Sequence, residues 1–351
     1  WLKECMDGHS RCKYEVTSLP TRVIDVGSEE IEPRLYVTNG EKEKYVTMSH
    51  CWGGKCPVMT TTETIEDHKQ GLPMNLLPKT FREAIIVTRS LGIRYLWIDS
   101  LCIIQNSKED WEAEALRMSD VYANCYLMIA ADASSNCEGG CFPDEGGSRN
   151  PGEPKTLSLP CPNQDEVCHH LYEPLFEHRR SPLNKRGWTL QERILAPRAL
   201  HCGKYEIAWE CADRIACECQ MVETAVDKEF RFKERFLNPM KDAGQPSPAS
   251  IAGNTWLWVN IVEEFTRRSL TRYTDTLPAL SGLAQRMCPS PANQYVCGIW
   301  RNHFVKYLNW EANYDRIPDV TQMPASLPRR NEGFDIPTWS WASIVGPIRF
   351  P

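Results

Sequence analysis

Between Tyr45 and Ala131 the hydrophobic pattern changes period in an orderly way, and that alternation limits the folds open to the chain. Tyr45-Val46-Thr47-Met48-Ser49 reads as a short strand that runs into His50-Cys51-Trp52-Gly53-Gly54, where paired glycines force a turn. Beyond a loop, Phe81, Ala84, Ile85, Thr88 and Leu91 fall on one face of a helix closed by Gly92. Tyr95-Leu96-Trp97-Ile98 comes next as a second strand ending on Asp99 and Ser100. Ser107, with Asp110 three residues on, marks the N-cap of the next helix, whose apolar stripe is Trp111, Ala115, Met118 and Tyr122. A third strand, Tyr126 to Ala131, completes the series. Short connections of this kind favour parallel strands with right-handed crossovers, so the spacing predicts an α/β fold built on a parallel sheet flanked by helices.

Outside that core the pattern is less regular. Residues 134–162 are rich in Gly, Pro, Asn and Asp and read as an irregular insertion. Regular structure resumes at Arg186-Gly187-Trp188-Thr189-Leu190-Gln191-Glu192-Arg193, and two strand-like runs come after it at Ala199–Cys202 and Tyr205–Glu210. Residues 238–254 read as a linker or mobile loop, and residues 255–265 and 277–287 as helices. The expected organisation is an N-terminal extension over 1–44, an α/β core over 45–235, and a helical and mixed α+β region over 255–351 that packs on the core.

Composition narrows the function classes. At 351 residues and 42% hydrophobic content the chain can bury a sizeable core. Its net charge of -6 and scattered basic residues argue against nucleic acid or an anionic membrane surface as partner. No run approaches the roughly 18 apolar residues of a membrane span. Sixteen cysteines suggest either a disulfide framework or free thiols. The start at Trp1-Leu2-Lys3-Glu4-Cys5 lacks a signal segment, and Cys102 and Cys125 lie in apolar runs, so free thiols and a cytoplasmic location are expected. Cys137-x3-Cys141, Cys161-x6-Cys168 with His169 and His170, and Cys217-x-Cys219 do not reproduce a paired CxxC spacing. Neither a metal nor a resident cofactor is therefore expected.

In open parallel sheets ligands bind beyond the carboxyl ends of the strands, where loops and helix N-termini converge. That rule nominates His50, Cys51 and Trp52 after the first strand and Asp99, Ser100 and Cys102 after the second. Glu114, three residues after Trp111 and four before Met118, joins them because helical geometry turns it inward. A carboxylate held there loses solvation, which suits acid or base work or the gripping of a ribose hydroxyl. Alternatively it pairs with a buried arginine such as Arg186 or Arg193 and braces the fold. Asp99 either caps the helix or loop after its strand or contacts a ligand. Cys51 invites a nucleophilic reading, yet adjacent strand residues face opposite ways, so it does not pair with His50. Trp52, Trp97 and Trp188 are either core residues or stacking platforms, and Trp52 follows a strand end beside glycines where it could face a planar ligand. Neither GxGxxG nor GxxxxGK[ST] occurs.

These segments, in this order, resemble the fungal heterokaryon-incompatibility (HET) domain: Tyr45 to Gly53, Leu77-Pro78-x-Thr80, Leu91 to Gln105, Asp110-Trp111-x-x-Glu114 with Met118 and Tyr122, and Arg186 to Arg193. Flanking segments resemble long family members: Trp1-Leu2-x-x-Cys5, Thr21 to Val26, Leu280 to Ala284, and Pro337 to Ser343. Because family members usually continue past the last of these, the resemblance implies a fragment or a short form. It also implies a Rossmann/TIR-like sheet, since HET domains are considered distant relatives of Toll/interleukin-1-receptor domains, some of which cleave NAD with a helix-borne glutamate. Glu114 aligns with that glutamate by position.

Three functions are expected on this basis. One is a protein of fungal non-self recognition or cell death that takes NAD as substrate, with Glu114, Asp99 and His50 catalytic and Cys51, Trp52, Ser100, Cys102, Trp111, Arg186 and Trp188 around the ligand. Another is a stand-alone cyclase or pericyclase of terpene or polyketide metabolism on the same scaffold. The third is a non-catalytic interaction module. A small-molecule ligand is the expected partner, and self-association is a further expectation.

Overall fold

The computed structural model describes residues 1–54, 56–142, 181–204, 206–218, 232–237, 248–287, 294–301, 304–313, 328–332 and 335–351. In chain order its principal elements are α1 (Leu2–Gly8), β1 (Arg22–Asp25), β2 (Arg34–Val37), β3 (Tyr45–Ser49), α2 (Ile65–Gln70), α3 (Lys79–Ser90), β4 (Tyr95–Trp97), α4 (Asp99–Cys102), α5 (Lys108–Ala123), β5 (Leu127–Ala130), α6 (Trp188–Leu195), β6 (Arg198–Cys202), β7 (Ile207–Cys211), β8 (Ile215–Cys217), α7 (Phe232–Leu237), α8 (Pro248–Thr266) and α9 (Pro278–Met287).

β1 to β8 form a single eight-stranded sheet in the order β2-β1-β4-β3-β5-β6-β7-β8. Its middle is parallel, as the strand–helix–strand pattern predicts, but β3 lies between β4 and β5, so these two are not neighbours, and β6 joins β5. Every residue of β3, β4 and β5 is buried, the pattern of strands covered on both faces. Helix α3 buries Phe81, Ala84, Ile85 and Thr88 and ends at Gly92, whose φ of 68° a residue with a side chain adopts only under strain. Helix α5 starts where expected, the Ser107 side chain accepting from the Asp110 N–H at 3.2 Å.

Antiparallel strands extend the sheet at both edges. β1 inserts antiparallel between β2 and β4, so the N-terminal extension supplies sheet rather than a separate appendage. Charged residues at both ends of β1 disguise this strand. Arg22 is buried, its Nη2 donating to both oxygens of Asp110 (2.7 and 2.6 Å), and Asp25 takes a fork from Arg94 (3.1 and 2.9 Å). A charge at a strand end is tolerated when a partner of this kind replaces its water.

Helix α9, from the region after the core, lies against α5 and α6. Gly282 of α9 approaches α5 and α6 so closely that a Cβ would stand 2.3 Å from that of Ser119, and its N–H donates to Gln191 Oε1 at 3.0 Å. The residues expected to form a linker at 238–254 are corrected in part: α8 begins at Pro248, a residue suited to the first helical turn, where no N–H partner is needed. Of the insertion, residues 143–162 lie outside the described residues, as do Cys161, Cys168, His169, His170 and Cys219. Each described cysteine is free of disulfide bonding, Cys102 and Cys125 being buried as expected. Among the described residues no helix is long and apolar enough to cross a membrane.

Candidate functional site

Parallel strands that end side by side bring distant residues together, and here the carboxyl ends of β3 and β4 do so with His50 and Asp99. His50 is 1% exposed, and its Nδ1 lies 3.8 Å from Asp99 Oδ1. Neither ring nitrogen has a hydrogen-bond partner among the described residues. Burial pushes its pKa down to about 4, with Arg186 adding to the effect and Asp99 opposing it, so the imidazole is neutral at pH 7. The ring stands edge-on to Phe81 of α3, which fixes its plane.

Asp99 orders the loop after its strand. One oxygen accepts from the Ser100 N–H (2.7 Å), ordering the turn into α4, while the other accepts from Trp52 Nε1 (3.0 Å). The indole of Trp52 is thereby anchored at the strand ends. Gly53 comes next with a φ of 70° and packs against Asn136, leaving no room for a Cβ. Ser100 is buried and accepts from Cys56 Sγ at 3.9 Å. Burial pushes the Cys51 thiol up despite nearby Arg186, so it is not a ready thiolate nucleophile.

A second buried carboxylate stands on α6, beside the end of β3. Glu192 is 5% exposed and accepts a short hydrogen bond from Ser49, the last residue of β3. Burial pushes its pKa up, while Arg186, Ser49 and Tyr122 pull it back. Arg186 in turn donates a short bond to the His50 carbonyl. Glu192 stands in the Arg186-to-Arg193 motif but was not among the residues expected in the site. Its signal was the i+6 offset from Arg186, which becomes informative only once β3 is known to lie beneath α6.

Glu114, on α5, lies apart from these groups. It is buried, 3.1 Å from Arg117 Nη1 and 3.9 Å from Arg22 Nη2, so the arginines it meets are these rather than Arg186 or Arg193. Arg22 also holds Asp110 and the Cys102 carbonyl (2.7 Å), which ties β1, α4 and α5 together. Cys102 sits between the two groups. Burial pushes its thiol up to about 12, and the charges of Glu114 and Asp99 add to the rise. Trp111 is partly buried against the core, and Trp188 donates Nε1 to Asp275 (3.1 Å), fastening α6 to the C-terminal region.

A buried ionic chain continues from the end of β5 and was not anticipated. His201 bridges Asp132 (Nδ1, 2.8 Å) and Glu210 (Nε2, 3.2 Å), and Glu210 also meets Arg193 (2.9 Å) and Lys233 (3.6 Å). Burial opposes charging His201, yet the two carboxylates hold its pKa above the ordinary value. Burial likewise opposes ionising Glu210, but Arg193, Lys233 and His201 hold it well below the usual range. Each charge is therefore paired, the condition under which burial is tolerated. This chain braces β5, β6 and β7 against α6 and α7.

The comparison with known families agrees with the region in which these groups converge. Residues 45–192 match the family described as heterokaryon incompatibility protein (HET). No curated protein and no solved structure matches the chain.

Proposed function

Starting from a chain whose residues 45–192 are a heterokaryon-incompatibility domain, we propose that it acts in fungal non-self recognition or cell death by cleaving NAD between nicotinamide and ribose. The observation that carries this reading is His50, a buried imidazole with both nitrogens unpartnered among the described residues, 3.8 Å from Asp99. Buried polar atoms nearly always have partners, so two orphans on one ring at strand ends support a ligand or an ordered water as what completes them.

The reaction needs little covalent help from the protein. The bond from ribose C1′ to the nicotinamide nitrogen breaks, nicotinamide leaves with the bonding pair as a neutral molecule, and positive charge develops on the ribose. A desolvated carboxylate stabilises that charge more strongly than a solvated one. Water then bonds to C1′ and gives up a proton, for which a neutral His50 nitrogen is an acceptor. ADP-ribose, nicotinamide and the proton account for all atoms. Trp52, anchored by Asp99, offers a ring face for a planar base.

Two helix-borne glutamates compete for the role of that carboxylate. The resemblance points to Glu114, whereas its contacts with Arg117 and Arg22 suit a brace. Glu192 adjoins the strand end that carries His50, and we assign the role to it. Release of nicotinamide from NAD by the purified protein tests the proposal, and glutamine variants at the two positions test the assignment.

A further inference from the structure

We propose that Cys5, His9, Cys12 and Cys211 form a structural zinc site that fastens the N-terminal segment to the far end of the sheet. The ligand atoms of these four residues all lie within 4.8 Å of one another, and His9 Nδ1 is 3.4 Å from Cys211 Sγ. Zinc bonds of about 2.3 Å to sulfur and about 2.0 Å to nitrogen, at tetrahedral angles, put sulfur and nitrogen about 3.5 Å apart and two sulfurs about 3.8 Å apart. The cluster needs only a small contraction to meet that geometry. Three thiolates and one imidazole are a recognised closed set for zinc, with no open position for chemistry.

The local backbone brings these groups together. One turn of α1 separates Cys5 from His9, the His9 N–H donating to the Cys5 carbonyl at 3.3 Å, so both face the same way. The chain then turns, the Cys12 N–H donating to the His9 carbonyl at 3.2 Å. Arg198, fully buried, fixes Cys12 through its carbonyl (2.8 Å). Cys211 arrives from the last position of β7, and the turn after it supplies Asp213, whose carboxylate holds Arg11 and accepts from Cys12 Sγ at 3.8 Å. Cys5, Cys12 and Cys211 are buried while His9 is partly exposed, so the imidazole would close the site from the solvent side. Spacing rules built on CxxC pairs miss this set, because Cys5-x3-His9-x2-Cys12 has no such pair and its fourth member comes from another element.

The position of the cluster says what the metal does. Cys211 pairs with Arg198, the first residue of β6, so the site lies at the amino ends of the parallel strands, opposite His50 and Asp99. The N-terminal segment then crosses that end of the sheet, touching Asn124 ahead of β5 through Tyr14, before β1 joins at the other edge. Zinc at one end and β1 at the other clasp the sheet without reaching the candidate catalytic groups.

Metal analysis and X-ray absorption on protein purified from zinc-supplemented culture without chelator test the proposal. The expected result is one zinc per chain in a shell of three sulfurs and one nitrogen, lost in Cys12→Ser and in Cys211→Ser and retained in Cys297→Ser. His9→Cys keeps the site able to close, so it should fold, retain zinc and show four sulfurs, which guards against loss of metal through simple misfolding of the serine variants. Folded wild-type protein without zinc, a shell lacking three sulfurs, zinc retained in Cys211→Ser, or a disulfide between Cys5 and Cys12 would each overturn it.

Discussion

His50 and Asp99 face each other across 3.8 Å at the ends of two adjacent parallel strands, yet among the described residues the imidazole makes no hydrogen bond through either nitrogen. At that separation the aspartate polarises the ring without tying it down, and Trp52 and the Ser100 N–H take up the carboxylate instead. Burial keeps this imidazole neutral and leaves both nitrogens without a partner among the described residues.

The buried ring has a consequence for stability against pH. The pKa of His50 is about 4 in the folded chain and 6.5 when unperturbed. Between those values the unfolded chain takes up a proton that the folded chain refuses, so stability falls as pH falls through this window. Integrated over the window, the loss is on the order of 3 kcal/mol. His201 contributes the opposite slope, because its raised pKa gives stability that is lost as pH rises. The difference between wild type and His50→Gln therefore isolates the effect: denaturant midpoints from pH 7 to pH 4 should fall more steeply for wild type than for the variant.

Glu114→Gln separates a brace from a catalytic group. The change keeps the shape but removes the charge that Arg117 and Arg22 meet, while Arg22 retains its bonds from Nη2 to Asp110. A loss of roughly 1 to 3 kcal/mol in unfolding free energy is expected, the scale of a hydrogen bond to a charged group, with turnover per folded molecule preserved. Thermal melting and activity on the same sample check both halves.

The contact between α9 and the core predicts a steric effect. In Gly282→Ala the new methyl meets Ser119 and Gln191, so α9 must back away from α5 and α6. Overpacking of this kind costs about 1 to 3 kcal/mol, read as a lower melting temperature. Gly253→Ala, on α8 with open space at its Cβ, should have no such effect.

Much of the core was legible because its signals are local. A buried strand shows as a short apolar run, and α5 shows through Ser107 and its stripe, so β3, β4, β5 and their parallel direction could be read from spacing, whereas the placing of β3 between the other two could not. β1 was not, because Arg22 and Asp25 make its ends polar and their partners lie far along the chain. The site was legible in part for the same reason. His50 and Asp99 are found by the strand-end rule, whereas Glu192, Asp132 and His201 join only when α6 and β6 pack beside β3 and β5. The metal-ligand cluster lies beyond any local pattern, since Cys211 meets Cys5 only through the fold.

The most direct test incubates purified wild-type protein and its Glu192→Gln, Asp99→Asn and Glu114→Gln variants with NAD and measures nicotinamide and ADP-ribose by chromatography. Nicotinamide release by wild type is expected, reduced at least about a hundredfold in Glu192→Gln and in Asp99→Asn at near-native melting temperature, and little changed per folded molecule in Glu114→Gln. Release that survives in Glu192→Gln and vanishes in a stable Glu114→Gln would move the catalytic carboxylate to α5. Folded wild-type protein that releases no nicotinamide would contradict the assignment of NAD cleavage to this site.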